Sequence, residues 1–157
     1  MDIVQAGPDD WETVRDVRLR ALADSPDAFS ARLERDRALP EQTWRERLAA
    51  PNPTLLGLRD GHGVAMGGVF PTGPGAAMVW GMWTDPAHRG LGAGRRILDR
   101  LLEWSQDAGR TPYLHVAEGN DAARALYVSR GFVPTGVWEP LREGSAARVE
   151  EMVLSRG

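Results

Sequence analysis

The chain has 157 residues, of which 42% are hydrophobic and 26% are charged, and this composition suits one compact domain with a real core over residues 1–157. The formal net charge of -3 does not indicate a basic surface for nucleic acid. Cysteine is absent, which excludes disulfides, thiolate metal sites and a cysteine nucleophile. All 19 basic residues are arginine, so Schiff-base chemistry and the phosphate-loop lysine of nucleotide hydrolases are excluded as well.

The sequence shows no apolar run as long as a membrane span. Its first residues, Met1-Asp2-Ile3-Val4, lack the basic region and apolar stretch of a signal peptide. We therefore expect a soluble cytoplasmic protein with no membrane partner, no nucleic-acid partner and no bound metal.

The first half of the chain predicts a strand, two helices and a meander of three strands. A charged stretch, 27–39, separates the two helices and is ambiguous. The predicted elements are a strand at 3–6, a helix from Pro8 to Ser25, a helix from Pro40 to Pro51, and strands at 54–59, 64–70 and 76–84. The last strand is long and apolar, which indicates burial on both faces.

The second half alternates helices with strands. The predicted elements are a helix at 92–108, a strand at 113–117, a helix at 122–130, and strands at 132–138 and 149–154. The order β-α-α-β-β-β-α-β-α-β-β predicts one α/β domain with a mixed sheet.

A glycine-rich loop, residues 89–95, stands between the long apolar strand and the helix that follows it. It begins Arg89-Gly90-Leu91-Gly92-Ala93-Gly94. A helix N-terminus carries unpaired N–H groups and a partial positive charge, and glycine allows an oxyanion to approach the backbone. This arrangement predicts a pyrophosphate site, to which Arg89 and Arg95 could add charge-assisted hydrogen bonds.

Two other phosphate-binding motifs differ from this loop in spacing. The dinucleotide fingerprint requires Gly-x-Gly-x-x-Gly, and the nucleotide-hydrolase loop requires Gly-Lys followed by Ser or Thr. The remaining alternative is that the glycines serve only a tight turn. The preceding strand, the following amphipathic helix and the flanking arginines favour the anion site.

The motif Arg89-x-x-Gly92-x-Gly94 resembles the Gln/Arg-x-x-Gly-x-Gly/Ala signature of the GNAT superfamily of N-acetyltransferases. A second block, from Leu114-His115-Val116 through Asn120 and Ala125-Leu126-Tyr127 to Gly131-Phe132, is similar to that family in order and spacing. The resemblance covers nearly the whole chain. It implies a GNAT-like acyl-CoA N-acyltransferase fold, in which a mixed sheet with two splayed parallel strands is flanked by about four helices.

The resemblance also implies that acetyl-CoA is the cosubstrate. Backbone groups of the long central strand would pair with the pantetheine arm, and backbone N–H groups of the glycine-rich loop would hold the pyrophosphate. Asn120 would bond the pantetheine or cap the following helix, and Arg124 and Arg130 are either ligands of the 3′-phosphate or solvated helix residues. The cofactor-binding residues so implied are Met82, Trp83, Thr84, Arg89, Gly90, Leu91, Gly92, Ala93, Gly94, Arg95, Asn120 and Tyr127.

Tyr127 matches the usual proton donor of the family, which protonates the departing thiolate. Many relatives carry a carboxylate on the central strand to accept the amine proton, and residues 76–84 contain none. Substitutes are Glu34, Asp85, His115 and Glu118, and a water chain or an amine that arrives neutral is an equal alternative.

The resemblance implies transfer of an acetyl group to a primary amine of a small molecule or a peptide, by direct attack in a ternary complex. A non-catalytic acyl-CoA sensor is the alternative, because the strand carboxylate is missing. Glu34, Glu139 and Glu143 hint at a cationic amine. Many relatives dimerise through edge strands, so the resemblance makes a homodimer possible. Trp80, Trp83 and Trp138 are predicted near the acceptor, although strand alternation favours a core position for Trp80.

Overall fold

The computed structural model describes residues 1–155, and its seven strands form one sheet in the order β1-β2-β3-β4-β5-β7-β6. The predicted mixed α/β fold is confirmed. The strands are β1 (Asp2–Gln5), β2 (Thr54–Arg59), β3 (His62–Thr72), β4 (Ala76–Thr84), β5 (Thr111–Ala117), β6 (Phe132–Pro140) and β7 (Arg148–Leu154).

Five α-helices flank the sheet within residues 1–155, one more than predicted. They are α1 (Trp11–Asp24), α2 (Leu33–Arg37), α3 (Glu41–Ala49), α4 (Ala93–Asp107) and α5 (Asp121–Ser129). The additional helix is α2, which lies in the ambiguous stretch. It has only five residues, four of them charged, so it carries no apolar stripe that sequence periodicity could detect. In this described part of the chain no helix is both long and apolar enough to cross a membrane.

The two parallel strands of the sheet separate along their length. Residues 76–78 of β4 pair with residues 111–113 of β5, and the parallel pairing ends there. Beyond that point β4 continues against β3 as far as Thr84, while β5 continues against β7 as far as Ala117. The opening therefore widens toward the carboxyl ends of both strands, as the family resemblance implies.

Helices cover both faces of the sheet, and each face has its own core. On the α4 face, Ile97, Leu98 and Leu101 are completely buried against the sheet. Burial of each such side chain stabilises the fold by about 2 kcal/mol. On the opposite α1 face, α1 and α3 pack against the sheet through side chains that include Val17 and Trp44. The two cores fix α1 and α4 on either side of the opening between β4 and β5.

A β-bulge at Gly81 changes which side chains of β4 face α1. The pairing with β3 shifts by one residue between Trp80 and Trp83, and Gly81 has φ of 66°. A bulge inserts one residue into the strand and so reverses the alternation beyond it. Trp80 and Trp83 both contact the α1-face core, whereas Met82 between them packs on the α4 face.

Candidate functional site

The N-terminus of α4 presents free backbone N–H groups. The first helical hydrogen bond of α4 runs from the Arg96 N–H to the Gly92 carbonyl at 3.0 Å. The N–H groups of residues 93–95 therefore precede any intrahelical partner. No side chain caps this end and no acidic residue occupies the first turn, so the positive end of the helix dipole is uncompensated. This end of α4 has the geometry and the charge of an anion site.

The loop leading into α4 is open to solvent. Gly90 and Gly92 have φ of 81° and 84°, a region that side chains other than glycine rarely adopt. A Cβ atom built on either glycine would meet nothing within 4 Å, and Leu91 is 59% exposed. The loop also follows directly after the carboxyl end of β4, where the sheet is open. A ligand that lies in the opening can therefore reach the amides of the loop without displacing protein atoms.

Asp24, the last residue of α1, anchors the start of the loop. Its carboxylate accepts hydrogen bonds from Arg89 Nη2 at 2.9 Å and from Trp83 Nε1 at 3.0 Å. Arg89 Nε also donates to the Thr84 carbonyl at 2.9 Å. The hydrogen bond from Trp83, more than that from Arg89, holds the pKa of Asp24 below its usual range. The Arg89 guanidinium therefore holds the loop against α1 and β4. Arg95, the other arginine of the loop, is exposed and has no ion pair in the described chain.

The glycine-rich loop and the opening beside it lie in a region that matches a known family. The model of the acetyltransferase (GNAT) family matches residues 16–132, which is well over half of the chain. The chain belongs to the GNAT acetyltransferase family. This confirms the family that the sequence motifs resemble.

Curated relatives of the chain include two named acetyltransferases. The N-alpha-acetyltransferase RimI of Mycobacterium tuberculosis is 37% identical over 102 residues, which are 62% of this chain and 63% of RimI. The mycothiol acetyltransferase of Beutenbergia cavernae is 33% identical over 123 residues, which are 75% of this chain and 39% of that protein. The matched segments thus span less than two thirds of either relative.

Solved structures confirm the GNAT fold. The structure of yncA from Salmonella typhimurium, which contains its cofactor acetyl-CoA, has a TM-score of 0.79 at 20% identity and covers 99% of this chain and 93% of that one. Ribosomal-protein-alanine N-acetyltransferase from Brucella melitensis has a TM-score of 0.77 at 21% identity, with 98% of each chain covered. At these identities the likeness concerns the fold.

Tyr127 lies on α5 in the core of the α4 face. Its side chain is 6% exposed, and its ring makes an edge contact with Phe132 at a centroid distance of 5.9 Å. Burial raises the pKa of the Tyr127 hydroxyl well above its ordinary value. The hydroxyl therefore keeps its proton throughout the physiological pH range, as a proton donor must.

Three polar residues predicted near the cofactor have protein partners. Asn120 caps α5, because its Oδ1 accepts a hydrogen bond from the Ala123 N–H at 3.3 Å. Arg124 pairs with Glu150 at 2.8 Å, and Arg130 pairs with Asp99 at 2.9 Å. For Asn120 the helix-cap alternative therefore describes the structure. The two arginines are engaged with acids.

The four candidates for the general base differ in their surroundings. Asp85 accepts a hydrogen bond from Arg20 Nη2 at 2.6 Å, and this bond is the main cause that lowers the pKa of Asp85. Glu118 bonds Arg148 at 2.6 Å. Glu34 is exposed on the short helix α2.

His115 is the candidate that lies beside the opening. Its neighbours on β5, Leu114 and Val116, belong to the core of the α4 face. Because strand side chains alternate, His115 projects from the opposite face, the one on which α1 packs. Its Nε2 atom lies 3.5 Å from Glu139 Oε1, and 27% of its side chain is exposed.

Strand alternation favours a core position for Trp80, but the core residue is Trp83. Trp83 is 6% exposed and its Nε1 is bonded to Asp24, so it is the core residue. Trp80 is only half-buried and lines a pocket on the α1 face. Its ring lies against Gly68, where a Cβ atom would come within 2.5 Å of it. The bulge at Gly81 places both tryptophans on the α1 face, so simple strand alternation does not apply to them.

Arg18 and Asp36 also line this pocket, and sequence reasoning missed both as site residues. Arg18 appears in the sequence as one position on the stripe of an amphipathic helix, and Asp36 lies in the ambiguous stretch. The structure joins them by an ion pair at 3.4 Å, with side chains 12% and 9% exposed. A buried charge in the middle of an apolar stripe was the available signal.

Proposed function

We propose that this chain transfers the acetyl group of acetyl-CoA to a primary amine by direct attack in a ternary complex. The observation that carries the proposal is the opening between β4 and β5, which leads directly to the uncapped N-terminus of α4. The pantetheine arm would lie in the opening as a short extra strand, because the separated edges leave backbone groups that need partners. The pyrophosphate would bind the N–H groups of residues 90–95.

In this mechanism the amine nitrogen attacks the thioester carbonyl carbon, a C–N bond forms and the C–S bond breaks. The departing sulfur takes the hydroxyl proton of Tyr127, which burial keeps protonated until that step. The tyrosinate then regains a proton from solvent. No covalent enzyme intermediate is required.

The proton of the amine would pass to His115. Among the four candidates this histidine lies on the α1 face beside the open part of β5 and has no arginine partner, whereas Asp85 and Glu118 are each bonded to an arginine. A neutral imidazole can accept a proton near neutral pH, so the histidine supplies the role that a strand carboxylate has in many relatives.

The test of this function is release of free CoA thiol from acetyl-CoA in the presence of a panel of anionic, neutral and cationic amines. We expect release above the amine-free rate with at least one class of amine, and the acetylated amine is identified by mass spectrometry. Tight binding of acetyl-CoA without acceleration by any amine would favour the acyl-CoA sensor. Absence of acetyl-CoA binding would exclude both functions.

The names of the relatives do not determine the acceptor. One relative is named as an N-alpha-acetyltransferase and another as a mycothiol acetyltransferase, so their acceptors differ. A small-molecule amine and a peptide amine therefore both belong in the panel.

A further inference from the structure

A pocket on the α1 face opens beside the gap between β4 and β5. Its volume is about 700 Å³, and α1, the segment 30–36, α3, Trp80 and the loop between β6 and β7 form its walls. Trp80 lies two residues beyond Met78, the last residue of β4 that pairs with β5. The pocket is thus next to the opening, on the side of the sheet away from α4.

Positive charge dominates this pocket. Five arginines and two acids, Asp36 and Glu143, line it, although the chain as a whole has a net charge of -3. We call it the basic pocket, and its arginines are Arg18, Arg32, Arg35, Arg47 and Arg142. A cleft lined by one sign of charge concentrates ligands of the opposite sign.

Arg18 is the innermost of these arginines and is incompletely paired. Its guanidinium lies between the rings of Phe29 and Trp80, at 5.2 and 5.6 Å, and Asp36 is its one carboxylate partner in the described chain. The Nη1 atom is buried and has no hydrogen-bond partner there. A Cβ atom on Gly81 would lie 3.5 Å from Nη1, so this end of Arg18 reaches the bulge of β4.

The Nη1 group is enclosed by protein, so the charge of Arg18 is poorly compensated at the base of the pocket. Burial, and to a lesser degree repulsion from Arg47, lower the pKa of Arg18, whereas Asp36 opposes this change. Two guanidinium groups thus repel each other in the pocket, and an anion bound there would relieve this repulsion.

The other arginines leave their charge uncompensated. Arg142 donates to the backbone carbonyls of Pro26, Phe29 and Ser30, which are neutral acceptors. Within residues 1–155, Arg32, Arg35 and Arg47 are exposed and form no ion pair. The basic pocket therefore holds several arginines that have no carboxylate partner in the described chain.

We propose that the basic pocket binds an anionic group of the acceptor, so that the substrate is an amine that also carries a carboxylate or a phosphate. This inference rests on the proposed acetyltransferase function. Guanidinium groups bind both anions through paired hydrogen bonds. The anion would lie between Arg18 and the exposed arginines, with the amine directed past Trp80 toward the opening. Glu34, Glu139 and Glu143 suggested a cationic amine, which a positively charged pocket would not favour.

The test uses pairs of acceptors in which one member carries an anionic group and the other does not. The pairs are β-alanine with its amide, phosphoethanolamine with ethanolamine, and the peptide amides Ala-Glu-Glu with Ala-Gln-Gln. We expect kcat/KM to be at least about 10-fold higher for the anionic member of at least one pair, and to fall as salt is added. The pair with the largest ratio identifies carboxylate, phosphate or acidic peptide as the bound group.

Two variants locate the effect in the basic pocket. Arg35→Gln and Arg47→Gln change exposed side chains that have no ion pair in the described chain, so both should fold normally. Each should raise KM for the anionic acceptor about 3-fold or more and leave KM for acetyl-CoA unchanged. Arg59→Gln, an exposed arginine outside the pocket, is the matched control and should change neither constant.

Three results would overturn this inference alone: equal or better turnover of the neutral members, an equal loss in Arg59→Gln, or a rise in KM for acetyl-CoA instead of the acceptor. Failure of every amine, whatever its charge, to accelerate CoA release would instead overturn the proposed function and this inference with it.

Discussion

The glycine-rich loop and the basic pocket lie on either side of the same opening, but their residues come together in different ways. The loop is one continuous stretch, 89–95, and its binding groups are backbone amides at a helix end. The basic pocket combines five separate segments, and its property is charge on side chains brought together by folding. A continuous backbone site can be recognised in a sequence, whereas a side-chain site built from distant segments emerges only with the fold.

Tyr127→Phe gives the largest expected effect and tests the chemistry that links the two regions. Loss of the proton donor should lower kcat about 100-fold, and the Kd for acetyl-CoA should stay within about 2-fold, because the hydroxyl acts mainly on the departing sulfur. Steady-state kinetics and calorimetry measure the two quantities. Tyr113→Phe, which alters the other tyrosine of the chain, is the control. Unchanged turnover in Tyr127→Phe would remove Tyr127 from the mechanism.

His115→Gln tests the proton acceptor on the α1 face. The variant should lower kcat about 10-fold or more at pH 7, and the deficit should shrink as the pH rises, since a larger fraction of the amine then arrives neutral. The pH dependence of kcat measures this convergence, and His62→Gln, a change at the exposed first residue of β3, should behave as wild type. A deficit that stays constant with pH would argue for a structural role of His115.

Gly92→Val tests whether the backbone of the loop binds the pyrophosphate. Valine is strained at φ of 84° and places methyl groups where the anion would bind, so the Kd for acetyl-CoA should rise about 10-fold. Gly109→Val, at the other end of α4, imposes a similar strain at φ of 69° away from the loop. Calorimetry should show weaker binding for Gly92→Val, and equal weakening in both variants would assign the effect to stability.

Asp24→Asn has the smallest expected effect and tests the anchor of the loop. The pKa of Asp24 is lowered in the folded state, so its carboxylate stabilises the fold above its ordinary pKa, and this contribution disappears as the pH falls through the lower folded pKa. The variant should melt about 2 °C below wild type at pH 7, and the difference should vanish as the pH falls from about 4. Asp27→Asn, an exposed acid nearby, should show no difference at either pH. A difference in melting temperature that persists in acid would mean that the charge of Asp24 does not stabilise the fold.

The strands and the long helices were predictable because their signals are local. The bounds of β2 and β4 were predicted as the structure has them, and α4 was within one residue at each end. The bulge at Gly81 was missed, although a glycine inside a strand is a known sign of a bulge. The Arg18–Asp36 pair was missed because it depends on the contact of α1 with the short helix α2. Local propensity thus reveals the loop, while the walls of the basic pocket require tertiary contacts.

The most direct test of the account is a crystal structure of the chain with acetyl-CoA. The account predicts pyrophosphate oxygens within about 3.2 Å of backbone nitrogens in the segment 90–95, with the pantetheine arm between β4 and β5. Phosphates bound elsewhere, with these amides facing solvent, would contradict it.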